Sequence, residues 1–289
     1  MNFVLLIVFI LQTALSIVLG TFFKNSVSDY VQIYLTQVLP IFIPALICCL
    51  MSADGFRGFA RNTKPSVLNI ILCIILAVCA NIILSFLTTF ADNILFPNNS
   101  NNLSDINLPQ TTFEFVLDII FICLMPAIFE ETLFRGAVLT IYEKIYGSKK
   151  AIMLCGFVFA LMHNSISHFI PQFIIGVFLS FVVLKFDSLY LGMIAHFTNN
   201  FTTLFIQCII LEKWSGSKTV LFRNPFATLI VFILIFAAAM VAALRLNRNI
   251  SFKQKSLPWK VRKREKKYFK LIVLLFIILQ LVFYFFKIT

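Results

Sequence analysis

The stretch VLNIILCIILAVCANIILSFLTTF, residues 67–90, runs for 24 positions without a charged side chain. A helix needs about 20 mostly apolar residues to cross the hydrocarbon core of a bilayer. Backbone polar groups in that core must be satisfied inside the segment, which a helix does and a loop does not. The stretch reads as a membrane span, and the chain around it is built alike. Of its 289 residues 60% are hydrophobic, 35 are Phe and 12% are charged, whereas soluble domains carry about 25% charged residues. Nine apolar runs are candidate spans, at roughly 3–23, 30–51, 67–90, 113–139, 151–166, 169–185, 188–211, 226–244 and 269–286. The first and last are apolar all round and read as lipid-facing anchors. The turn Ser165-Ile166-Ser167-His168 between the fifth and sixth is tight. The expected fold is all-α, a polytopic bundle of about eight or nine spans around a polar intramembrane cavity.

The net charge of +12 does not point to nucleic acid, because the basic residues lie in short stretches between apolar runs. They serve as orientation signals and contacts to anionic lipid. With a cytoplasmic N-terminus, the loops after spans two, four, six and eight hold 18 of the 24 Lys and Arg; the other side holds five, and Arg135 lies within span four. That bias matches the enrichment of positive charge on cytoplasmic loops. The longest basic stretch, 245–270, is expected on the inner membrane surface, and the Asn-rich loop 92–112 outside. Asn98 and Asn102 in that loop match the short N-glycosylation pattern. The N-terminal run lacks a basic leader and a small-residue cleavage site, so it is expected to be a retained span. The seven cysteines all lie in apolar runs with no CxxC pair; they read as small buried hydrophobes, not disulfides or metal ligands.

Ionisable groups inside a span cost about 2.5–3.5 kcal/mol each on insertion scales, so they are functional candidates by default. Span four contains Phe129-Glu130-Glu131-Thr132-Leu133-Phe134-Arg135-Gly136. Glu131 and Arg135, four apart, share a helix face and are expected to pair. Glu130 then faces elsewhere without a local partner, which suits a general base or acid. Pro126, one turn before it, is expected to kink the helix. Asp118 lies nearer the outer end and reads as interfacial. Span five ends in Phe159-Ala160-Leu161-Met162-His163-Asn164, and span seven contains His196-Phe197-Thr198-Asn199-Asn200. At a rise of about 1.5 Å per residue, Glu130, His163 and Asn200 all fall about 20 Å from the cytoplasmic edge, with His196 at about 14 Å. His168 lies beyond that layer and is set aside.

The three motifs occur in order on separate helices: two glutamates, three residues and an arginine; a phenylalanine four before a histidine; a histidine four before an asparagine. Together they resemble the CAAX-protease and bacteriocin-processing (CPBP or Abi) family of intramembrane endopeptidases. The resemblance divides the chain into residues 1–112, N-terminal spans with an outside loop; 113–211, a CPBP-like catalytic core; and 212–289, C-terminal spans with a basic cytoplasmic loop. It implies a hydrolase acting on a peptide bond of a membrane-associated protein or peptide. Glu130 is then the base and His163 helps hold the water. His196 and Asn200 are oxyanion donors, and Glu131 and Arg135 brace the site. No cofactor is favoured, although Glu130, His163 and His196 would also compose a zinc set with an open fourth position. The expected partners are membrane lipids and a peptide or protein substrate, with no nucleic acid. The expected location is a cell membrane crossed several times, bacterial by the Phe, Ile, Asn and Lys bias. The alternatives are a non-catalytic scaffold or bacteriocin self-immunity protein and, behind it, a proton-coupled transporter, against which the chain shows no repeated halves.

Overall fold

Long apolar runs that must satisfy their own backbone become helices, and the computed structural model delimits eight among its described residues. It describes residues 1–23, 26–50, 61, 64–95, 109–163, 169–210, 225–246, 270, 273–274 and 277–278. The helices are α1 (Asn2–Phe22), α2 (Asp29–Leu50), α3 (Val67–Leu95), α4 (Thr112–Tyr146), α5 (Ser148–Met162), α6 (Phe169–Phe186), α7 (Leu189–Ile210) and α8 (Pro225–Leu246). Among the described residues there is no strand. The Asn98 and Asn102 patterns, His168 and nearly all of the stretches 245–270 and 269–286 lie outside the described residues.

Six of these helices are long and apolar enough to cross a membrane, and the chain is a multi-pass membrane protein. Two expected spans differ from the rest. Helix α5 has 15 residues, about 22 Å at the helical rise, shorter than the hydrocarbon core. Helix α7 carries His196, Asn199 and Asn200 near its middle. Both pack among the other helices: α5 lies against α4 and α6, and α7 against α3, α4 and α6. The first span is also more than a lipid-facing anchor. Leu5, Val8 and Phe9 are fully buried in the main core, and Asn2 Oδ1 accepts a hydrogen bond from Tyr142 Oη of α4 at 2.8 Å.

Helix α4 is not uniform. It contains two widened, π-helical turns, Ile119–Leu124 and Thr132–Val138, flanking the α-helical Met125–Glu131. Pro126 follows the first, and Pro40 sits inside a similar turn of α2, Val38–Phe42. A proline lacks the N–H that the preceding turn needs, and widened turns commonly occur at functional sites. At Pro126, where a kink is expected, the structure shows a widened turn immediately before the proline.

Helices α5 and α6 cross at Gly156 and Gly176. A Cβ added at Gly176 would stand 2.8 Å from Gly156 Cα, and one at Gly156 would stand 2.7 Å from Val177 N. Only bare backbone fits there, the small-residue contact by which membrane helices approach closely. At one end of the bundle Arg61 pairs with Glu143 (2.5 Å) and Asp187 (3.5 Å), and Ser148 Oγ donates to Glu143 at 2.7 Å. The segment after α2, the α4–α5 turn and the α6–α7 turn thus share one face. All seven cysteines are free.

Candidate active site

The first motif holds the site together from within α4. Glu131 and Arg135 are fully buried, Glu130 and His196 nearly so at 6% and 4% exposure. Arg135 Nη1 donates to Glu131 Oε1 at 2.5 Å, and Nη2 donates to Gly176 O at 3.1 Å. The same Glu131 oxygen accepts from His196 Nδ1 at 2.9 Å. Glu131 therefore joins α4 to α7, and Arg135 joins α4 to α6. Their pairing is the one the four-residue spacing predicts, but the link to His196 spans 65 positions and has no signature in the sequence. Space for the carboxylate comes from Gly192, one turn before His196: a Cβ there would lie 3.0 Å from Glu131 Oε2 and collide with Val183 Cγ2.

The second motif explains its own phenylalanine. The Phe159 carbonyl, one of the last four of α5 and thus without a helical donor, accepts from His163 Nδ1 at 2.8 Å. A carbonyl only accepts, so Nδ1 bears hydrogen, and Nε2 of the neutral ring is left as an acceptor. The Phe159 ring lies 4.5 Å from the His163 ring, 6.0 Å from the His196 ring and 4.5 Å from the Arg135 guanidinium carbon. One aromatic face meets the cation, and the same residue fixes the histidine. Glu130, His196 and Arg135 all act electrostatically on His163.

Glu130 points away from Arg135, as its position next to Glu131 requires. It is not without a partner: Gln37 Nε2 of α2 donates to its Oε1 at 3.0 Å. Its Oε2 is buried and has no hydrogen-bond partner among the described residues. Beside the pair, the Phe42 and Phe129 rings lie 4.4 Å apart, packing α2 onto α4.

The third motif faces the first widened turn of α4. Asn200 Nδ2 donates to Ile122 O at 3.2 Å, and Asn200 Oδ1 accepts from Asn199 Nδ2 at 3.2 Å. Asn81 of α3 lies behind them, its Nδ2 within 3.1 Å of Asn199 Oδ1 and 2.8 Å of Thr203 Oγ1. These bonds fix which end of the Asn200 amide is nitrogen and leave one of its N–H groups over. His196 uses Nδ1 on Glu131, so donation from its Nε2 requires the doubly protonated ring, with Glu131 as counter-ion.

Asp118, expected near the outer end of its span, is also packed inside the protein. It is buried, and Tyr30 Oη of α2 donates to its Oδ1 at 3.0 Å. Gln37, Asn81 and Asn199 were missed altogether; their only signal is a lone amide or amide pair inside an apolar run. Among the described residues no three His, Cys, Asp or Glu side chains converge closely enough to hold an ion.

The comparisons with known proteins fall on this segment. Residues 112–202 match the family described as type II CAAX prenyl endopeptidase Rce1-like, a stretch holding all three motifs and 91 of the 289 residues. No curated protein matches the chain.

Proposed function

From the similarity of residues 112–202 to the CAAX-type endopeptidases, we propose that this multi-pass membrane protein is an intramembrane endopeptidase. Its substrate is a peptide bond in a membrane-associated protein or peptide, cut by water activated at Glu130. The observation that carries the reading is the division of labour between adjacent carboxylates. Each keeps its Oε2 without a hydrogen-bond partner among the described residues, but Glu131 Oε1 is ion-paired to Arg135 and bonded to His196, whereas Glu130 Oε1 accepts only from the neutral Gln37 amide.

In the first step Glu130 Oε2 takes a proton from water, with a second water hydrogen directed to His163 Nε2. The water oxygen forms a bond to the scissile carbonyl carbon, and the carbonyl electron pair moves onto its oxygen. The remaining Asn200 N–H and a protonated His196 Nε2 donate to that oxyanion, usually the largest catalytic term. In the second step the C–O double bond re-forms, the C–N bond breaks, and Glu130 gives its proton to the leaving nitrogen. Arg135 and Glu131 keep the helices carrying these groups in register. No metal takes part in this scheme, and zinc content of the purified protein, with and without chelator, tests that element.

The decisive experiment compares membrane peptides of cells with and without the protein, then incubates the accumulated peptides with purified protein in lipid nanodiscs. Wild type is expected to cleave one or more of them. Glu130→Gln keeps the shape and is expected to lose about 10²–10⁴ in rate. The closed Glu131–Arg135–His196 network also suits a scaffold or immunity protein that keeps these residues for packing. No cleavage by the wild type together with a full phenotype for Glu130→Gln establishes that reading instead, while full turnover by Glu130→Gln removes Glu130 as the base.

A further inference from the structure

Helix α2 lies outside the matched residues 112–202, yet its Gln37 holds the proposed base by a hydrogen bond. We infer that Gln37 is a positioning residue for the hydrolysis, holding Glu130 Oε1 so that Oε2 is the atom presented to water. The inference rests on the proposed reaction.

A glutamate carboxylate turns about a broad, two-fold terminal torsion, and in an unheld side chain its two oxygens are interchangeable. A base needs one oxygen in hydrogen-bond reach of the water. The 3.0 Å bond from Gln37 Nε2 breaks that equivalence. An ionised carboxylate only accepts, so the Gln37 amide is held with its nitrogen toward Glu130. Its own Oε1 is left buried, with no hydrogen-bond partner among the described residues, as is Glu130 Oε2. The amide is itself anchored. Gln37 is the last residue before the widened turn Val38–Phe42, and at the far end of that turn Phe42 packs on Phe129, next to Glu130. The polar bond and the aromatic contact fix α2 against α4 at the reacting layer.

The test uses a peptide that the wild type cleaves, made as a quenched fluorogenic probe, with the full chain in nanodiscs. Gln37→Leu keeps the volume and removes the donor. It is expected to lower kcat by about 10- to 100-fold, the worth of a hydrogen bond to a charged group, with KM within about twofold. Gln37→Glu, the same shape without the amide donor, is expected to act likewise. In a Glu130→Gln background Gln37→Leu should cause little further loss, because the atom it positions no longer takes a proton. A wild-type kcat for Gln37→Leu and Gln37→Glu, a loss seen only in KM, or a loss that multiplies in full with Glu130→Gln overturns the inference. Failure of the wild type to cleave any peptide, or full activity of Glu130→Gln, overturns the hydrolysis itself and is separately visible.

Discussion

Asn200 Nδ2 donates to the Ile122 carbonyl at 3.2 Å, and Ile122 is the residue whose helical donor would have been Pro126, which has no N–H. A side chain of α7 thus serves a backbone group that the proline left open in α4. The bond sets the Asn200 amide for its remaining N–H to meet an oxyanion. Asn200→Ala should lower turnover about 10²–10³-fold. Pro126→Ala returns a backbone N–H to compete for Ile122 O and should cost less than Asn200→Ala. Turnover of the two purified variants checks the order; wild-type rates from Asn200→Ala would make the residue a packing element only.

His163 and Glu130 are assigned to one water molecule. His163→Ala alone should cost about 10²–10⁴ in rate. The double variant with Glu130→Gln should be little slower than the worse single one, since groups acting on one step are strongly non-additive. Single-turnover rates of the three proteins decide this, and losses that simply multiply would separate the two residues mechanistically.

Arg135 is fully buried between Glu131, Gly176 O and the Phe159 ring. Removing one partner of a buried pair costs about 3–5 kcal/mol. Arg135→Ala should therefore reduce membrane abundance as well as activity. Phe159→Leu keeps the carbonyl that holds His163 and removes the ring, so it should be milder in abundance, by about 0.5–2 kcal/mol from the lost cation–π contact. Quantitative blotting and thermal unfolding in detergent measure both. Normal abundance of Arg135→Ala with no activity would place Arg135 in the chemistry.

Gly192→Ala puts a methyl group 3.0 Å from Glu131 Oε2 and against Val183 Cγ2. Overpacking of this kind costs about 1–3 kcal/mol, and here it also displaces the carboxylate that His196 and Arg135 share. A lower unfolding temperature and reduced turnover are expected together. A stable, active Gly192→Ala would show that α7 can shift without loss.

The Arg61, Glu143, Ser148 and Asp187 contacts gather three loops at one end of the bundle. In a Cys48→Ser background, Lys64→Cys and Lys149→Cys should be labelled by an impermeant thiol reagent from the same side of the membrane, and Thr112→Cys from the other. The charge bias makes the first side cytoplasmic. Labelling of Lys64→Cys and Lys149→Cys from opposite sides would break the proposed alternation.

What the sequence made legible was what is local. Glu131 with Arg135, and Phe159 with His163, are four apart on one helix, so their contacts follow from the helical repeat alone. Membership in the bilayer follows from runs such as 67–90. What could not be read depends on how helices meet. Gln37 reaches Glu130 over 93 positions, and Asn81 reaches Asn199 over 118. Nothing in residues 30–51 or 67–90 specifies which of their amides, Gln32 and Gln37 or Asn69 and Asn81, will face the site. The expectation for Glu130 concerned local partners only, and the Gln37 bond lies beyond what its own helix can reveal. The buried state of Asp118 was hidden likewise by Tyr30. Pro126 marks the first widened turn of α4, Ile119–Leu124, and the second, Thr132–Val138, has no proline to announce it.

The amides of Gln37 and Asn81 reach into the site from helices that the family similarity does not cover. The recognisable third of the molecule is therefore not a transplantable module. Moved into a foreign set of surrounding helices, residues 112–202 would keep the three motifs and lose the Gln37 bond to Glu130 and the Asn81 bond to Asn199. Homology searches and activity can part company in either direction here: a chain could keep the motifs after losing its flanking amides and be inert, or exchange the flanks and acquire a different substrate.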